Sequence, residues 1–309
     1  MSHFTTLVIH KDGADIDEIL APFCETDENF FEFYDNTEEL KGKYSTDKVK
    51  RIKMPDGKYY EYSDKIFAKK VSKEEYYKNK NGETPTQFYS HISFGVNGLD
   101  TEYILYDYIE KGGVLVDIPA KEFMTLGEYA EYCGYCKREQ DENAHDEEAS
   151  FGYYSNPNAK WDWFEIGGRW NNSIKTKSGA FCNSCKINEI DFTPDERDMK
   201  MNRRFWEIVV DKEPLEEGEE KPFCFYKEEY MKNLYGDKET YARCKSTFST
   251  YSILTPDGEW LEPGKMGWFG VSSATANEER EWHKSYQSII EKFAKENPDY
   301  VVTLVDCHI

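Results

Sequence analysis

The apolar positions at the start of the chain, His3 to His10 (HFTTLVIH), predict a β-strand closed by the turn residues Lys11-Asp12-Gly13. The other end carries a similar run. Tyr300 to Cys307 (YVVTLVDC) reads as a terminal strand, entered through Asn297-Pro298. Ahead of it Trp282, Tyr286, Ile289 or Ile290, and Phe293 recur at helical spacing. They predict a helix from Glu278 to about Lys295, capped by Asn277 and packed through its apolar face on a sheet. Phe123, Leu126, Tyr129 or Ala130, and Cys133 predict another helix over Glu122–Arg138. Two Pro-Asp-Gly turn signals predict hairpins. Pro55-Asp56-Gly57 joins Val49–Met54 to Lys58–Tyr62, and Pro256-Asp257-Gly258 joins Phe248–Leu254 to Glu259–Leu261. Gly112-Gly113 precedes a further apolar run, Val114–Ile118.

Strands and helices are mixed without βαβ alternation or an internal repeat, which predicts an α+β class. The expected architecture is a mixed or antiparallel sheet with packed helices, its core holding the N- and C-terminal strands. Gly95 to Gly98 predicts a joint between an acidic/basic subdomain with a hairpin, 1–98, and an aromatic-rich α+β subdomain, 99–309. The polar runs Glu139–Glu148 (EQDENAHDEE) and Asp211–Lys221 (DKEPLEEGEEK) read as solvated loops. In Glu25–Tyr34, Phe30, Phe31, Phe33 and Tyr34 stand beside acids, a pattern more frequent in a packed face than in a loop, with an interface as the other reading.

Composition adds a constraint on partners. Across 309 residues, 60 Asp and Glu face 39 Lys and Arg, a net charge of −21. Seven Trp, 23 Tyr and 19 Phe supply the apolar mass that a disordered acidic chain lacks. A surface that binds nucleic acid supplies cations to displace phosphate counterions, so this balance argues against DNA as the direct ligand. The charge is unevenly spread: residues 41–80 carry 13 basic and 6 acidic side chains inside an otherwise acidic chain. Such acidity serves solubility, or presents a DNA-like surface to a basic protein. No window approaches the roughly 18 apolar residues of a membrane span. Met1–Asp12 has no basic region followed by a long apolar stretch, so no signal peptide is expected. Eight Cys then suggest a reducing compartment.

Three motifs carry candidate chemistry. Cys133-Gly-Tyr-Cys136 and Cys182-Asn-Ser-Cys185 form a CxxC…CxxC pair that can supply four thiolates to one Zn²⁺. The 45 residues between the pairs exceed the usual ribbon spacing, and cysteines also bury simply to pack. The segment Asn156 to Trp170 (NPNAKWDWFEIGGRW) holds Trp161, Trp163 and Trp170 as large anchors, with Asp162 in the same motif, around Gly167-Gly168, which permits a tight turn, and Arg169. It reads as an aromatic binding surface or as a core motif. Last, strand alternation in Asp306-Cys307-His308-Ile309 puts Asp306 and His308 on one face and Cys307 on the other. That speaks against a Cys–His nucleophilic pair within the tripeptide. It leaves a metal or acid–base role for His308 and Asp306 with His3 or Arg169.

The opening MSHFTTLVIH, the central NPNAKWDWFEIGGRW and the closing VVTLVDCHI together resemble a family of phage and prophage proteins. Its members open MSHFTVLVIG, carry an NPKAKWDWYxIGGRW-like centre and end in DCHI. The three motifs in order imply that the likeness covers the whole chain. His10 stands where the family has Gly, and Cys182 and Cys185 stand where it has no cysteines. The resemblance implies association with phage inhibitors of the Gabija nuclease–helicase defence complex. These are non-enzymatic oligomers that surround the host complex and block its DNA recognition. The implied setting is the host bacterial cytoplasm, with homo-oligomerisation, a host protein partner and no cofactor. No catalytic residue carries over from a binding activity. The competing expectation is a small metal-assisted hydrolase or nucleotide-modifying enzyme using the C-terminal Asp-Cys-His.

Overall fold

A computed structural model describes residues 2–78, 88–94, 101–267 and 269–309. It divides the chain into one unit of residues 1–32 with 155–309 and another of residues 33–154. The division falls elsewhere than at residue 98, and the expected joint at 95–98 lies outside the described residues. The cause is strand pairing: the first strand pairs with the last, which assigns the N-terminus to the C-terminal half of the sequence.

In the first unit, β1 (His3–His10) runs antiparallel to β6 (Val301–His308) from His3 opposite His308 to His10 opposite Val301. The free edge of β6 takes β2 (Trp163–Ile166) near its end and β3 (Ser184–Lys186) near its start. β1 pairs in parallel with β4 (Ser252–Leu254), which pairs with β5 (Trp260–Leu261) across the expected Pro-Asp-Gly turn. The sheet is therefore mixed, and with its packed helices the class is α+β. Both faces of β1 are covered, which explains its nearly continuous apolar sequence. Leu7 and Ile9 join Val302, Leu304 and Ile253 beneath α5 (Ala276–Glu296), whose Tyr286 and Ile290 are buried there. On the other face Phe4 and Val8 join Leu254, Val305 and Cys307, with Leu20 of α1 (Ile16–Leu20) and Trp161. A further cluster unites α2 (Glu196–Val209), α3 (Glu228–Tyr235) and α4 (Lys238–Ser246) through Trp206, Met231, Leu234 and Tyr241.

In residues 33–154 the expected hairpin forms: Lys48–Lys53 pairs with Tyr59–Tyr60 and, on its other edge, with Val114–Pro119. The helix expected over Glu122–Arg138 is instead two helices, Ala120–Phe123 and Leu126–Tyr132. Between them Thr125 starts anew: its hydroxyl accepts from the Glu128 N–H at 3.2 Å while the Glu128 carboxylate accepts from the Thr125 N–H at 2.7 Å. The aromatic run at 30–34 is only partly packed, with Phe30 and Tyr34 exposed. Residues 211–221 form neither helix nor strand, as their polarity predicts.

Candidate functional site

β2, β6 and β1 lie side by side, and their register sets a row of rings across three strands. Trp163 stands opposite His308, and His308 opposite His3. Trp163 stacks on His308 at 4.9 Å between centroids and 18° between planes. His3 meets the edge of His308 at 4.9 Å and of Trp163 at 5.2 Å. Asp306 and His308 share a face of β6, as alternation predicts, and that face continues the one on which α5 packs.

Each imidazole is oriented by a carboxylate. His3 Nδ1 lies 2.7 Å from Asp306 Oδ1, and His308 Nδ1 lies 2.6 Å from Asp162 Oδ1. A carboxylate only accepts, so Nδ1 carries the proton in both rings and each Nε2 is directed away from its dyad. Asp306 is 2% exposed and His308 6%. His308 Nε2 is buried without a hydrogen-bond partner among the described residues. Asp306 and His308 are thus brought together with Asp162 and His3, but not paired with each other.

The Gly-Gly-Arg segment supplies the second ligand of Asp306. Gly167 adopts φ +74° and its N–H donates to the Leu304 carbonyl at 2.9 Å. At Gly168, φ +44°, a Cβ would stand 2.4 Å from Asp306 Oδ2. This close approach lets the Arg169 N–H donate to Asp306 Oδ2 at 2.9 Å. Arg169 therefore acts on Asp306 through its backbone, and its exposed guanidinium makes no ion pair among the described residues. Trp161 is buried with Phe4 and Val8 on one face of the sheet and Trp170 is half-buried against the cluster on the other, so of the three tryptophans Trp163, 45% exposed, is the most open to solvent. Asn183 was missed by sequence reasoning. It lies against Gly167, and its side-chain oxygen accepts from the Asn172 N–H. Its only signal was its place inside the CNSC motif, read for thiols alone.

The cysteines separate into different roles. Cys133 ends a helix and Cys136 lies in a short strand, both exposed, in the unit of residues 33–154. Cys182 and Cys185 are half-buried against the sheet core of the other unit, and burial pushes the Cys185 thiol up to about 12. Among the described residues no group of three or more His, Cys, Asp or Glu is arranged to hold a metal ion, and the two CxxC pairs belong to different units. Cys307 is a core residue, its thiol pushed up to about 12 by burial and its Sγ 3.4 Å from Thr6 Oγ1. That leaves two carboxylate-oriented imidazoles buried beside an exposed indole, with the Arg169 guanidinium unpaired among the described residues. Compared with known proteins, the chain matches no family model, no curated protein and no solved structure.

Proposed function

We propose that this chain is a phage-encoded interaction protein. It binds a host DNA-processing defence complex of the Gabija type, acts as a homo-oligomer in the host cytoplasm, and blocks DNA recognition without turnover. One observation carries the reading. In the loop 211–227, Phe223 and Phe225 are 86% and 80% exposed beside Glu213, Glu216, Glu217, Glu219 and Glu220. The loop is fastened: Arg204 of α2 grips Glu219 through two hydrogen bonds, at 2.9 and 2.6 Å, and donates to the Pro214 carbonyl at 2.9 Å. That grip holds the Glu219 carboxyl down to about 2. Aromatic anchors on a loop rich in carboxylates suit a basic surface with apolar pockets, the character of a protein groove that holds DNA. The net charge of −21 speeds encounter with such a groove.

The test is to mix the purified chain with a Gabija-type nuclease–helicase complex. A stable complex at about micromolar concentration, with DNA displaced, is expected. Phe223→Ala/Phe225→Ala should weaken it about tenfold or more. Absence of any complex at modest salt overturns the reading. The competing expectation, metal-assisted catalysis by Asp306, Cys307 and His308, loses Cys307 to the core, and among the described residues no group of three or more His, Cys, Asp or Glu could hold a metal ion.

A further inference from the structure

We infer that Cys182 and Cys185 form a redox pair: a hydroperoxide joins them in a disulfide, a small dithiol restores them, and the change acts on the turn at residues 167–172. The inference does not rest on the interaction reading, since the pair lies in β3 and the strand before it, and the aromatic loop spans 211–227.

The two thiols meet in space. Cys182 ends the strand Phe181–Cys182, Cys185 lies in β3, and the chain bends at Asn183 between them. Both side chains pack on one core cluster, with Leu304 and Val302 of β6. Cys182 Sγ donates to the Ile174 carbonyl at 3.8 Å, and the Cys185 thiol hydrogen-bonds to that of Cys182. Both keep part of their surface open to solvent, unlike Cys307, which is sealed in the core. The other CxxC pair has the same spacing without this contact. Its Cys133 hydrogen-bonds to Tyr129, and its Cys136 Sγ donates to the Gly152 carbonyl at 3.5 Å.

The residue enclosed by the pair makes the bond consequential. The Asn183 carbonyl accepts from the Leu304 N–H at 2.8 Å. Its side-chain oxygen accepts from the Asn172 N–H, and its side-chain nitrogen donates to Asn171 Oδ1 at 2.7 Å. The same side chain lies against Gly167, so Asn183 pins the turn whose Arg169 N–H holds Asp306. A disulfide needs Cβ atoms about 3.5–4.5 Å apart. Within a CxxC segment that draws residue 183 into a tighter loop than a bend between two paired strands. The bond therefore forms at the expense of the Asn183 contacts, which makes it a readily reduced, regulatory disulfide.

In the reaction Cys182 sulfur attacks a peroxide oxygen, the O–O bond breaks, and the departing hydroxide takes the thiol proton and leaves as water. Cys182 then carries a sulfenic acid. Cys185 sulfur attacks Cys182 sulfur, the S–O bond breaks, and the Cys185 proton leaves with the second water. Two thiols lose two electrons, and hydrogen peroxide is reduced to two waters. Burial pushes the Cys185 thiol up to about 12, which keeps it protonated through the first step and suits it to the second.

The experiment treats the full chain with hydrogen peroxide, alkylates the remaining thiols and digests with trypsin. The digest releases Ser178–Lys186 and Glu122–Lys137, each holding one CxxC pair. Ser178–Lys186 is expected to lose two hydrogens, to escape alkylation and to regain both thiols in dithiothreitol. Its linkage should run about tenfold or more ahead of any in Glu122–Lys137. Cys185→Ser should leave a sulfenic acid on Cys182 that dimedone traps, and Cys182→Ser should abolish both linkage and adduct. Hydrogen exchange at the Asn172 and Leu304 amides should quicken about tenfold on oxidation and recover on reduction, which a disulfide without effect on the turn would not produce. Absence of linkage in Ser178–Lys186 overturns the inference, whether or not Cys133 and Cys136 join. So does linkage that leaves exchange at Asn172 and Leu304 unchanged.

Discussion

Asp306 is where the ends and the middle of the sequence meet: its two oxygens accept from His3 of the first strand and from the Arg169 N–H of the central turn. The turn approaches so closely because residue 168 has no side chain. Gly168→Ala should therefore cost about 2–4 kcal/mol in denaturant unfolding, combining a strained positive φ with a Cβ driven into a buried carboxylate. Gly179→Ala is the matched control. Its φ is +83° but nothing lies within 4 Å, so only the strain of about 1 kcal/mol is expected. Alternation alone told that Asp306 and His308 share a face. It did not tell that each pairs with a carboxylate or imidazole from another segment, because register between strands some 140 and 300 residues apart is set by tertiary packing. The cysteine spacing misled for the same reason: spacing along the chain says nothing of whether two CxxC pairs share a unit. Away from this site, burial and the nearby Lys245 ammonium push the His283 imidazole of α5 down to about 4. Below its ordinary value near 6.5 the unfolded chain then binds the extra proton. Stability at neutral pH is lost as pH falls from about 6.5 to about 4, at most ~1.4 kcal/mol per pH unit. His283→Gln should flatten that dependence in urea titrations at about pH 7 and about pH 5.

Among the elements, α5 was the most legible, because its apolar stripe is long and regular. Its start lies two residues earlier than expected. Thr275, not Asn277, is the cap, since Thr275 with Glu278 completes a reciprocal pair: the Thr275 N–H donates to Glu278 at 2.7 Å and its hydroxyl accepts in return. Asn277 has no such partner three residues on, and its side chain instead accepts from Arg280 at 2.6 Å. Thr275→Ala is expected to lower stability by about 1 kcal/mol, while Asn277→Ala changes it by a few tenths, both read from chemical denaturation. The two Pro-Asp-Gly hairpins were equally readable, as turn chemistry acts within a few residues. The helices α2 to α4 were not. Arg203 and Arg204 interrupt the apolar pattern of α2, and the cluster is recognised only once Trp206, Met231 and Tyr241 are seen together.

At the scale of the whole molecule, a net −21 is a statement about encounter more than affinity. If the aromatic loop docks on a basic groove, raising NaCl from about 50 to about 500 mM should slow association roughly tenfold or more, as the Debye length shrinks. The dissociation rate should change less, because Phe223 and Phe225 are uncharged, and surface-immobilised kinetics separates the two. The unit boundaries escaped sequence reading because composition changes along the chain, whereas the units are defined by pairing between its ends. That pairing also dictates an order of events at the ribosome. β6 occupies the middle of its sheet, between β1 on one side and β2 and β3 on the other, yet it is synthesised after all of them. Residues 33–154 bring the described partners of their own Lys48–Lys53 and Ala68–Val71 strands and can fold while translation continues. β1 must wait for β6 with Leu7, Val8 and Ile9 uncovered, so this unit is at its most vulnerable to chaperones and proteases until β6 emerges.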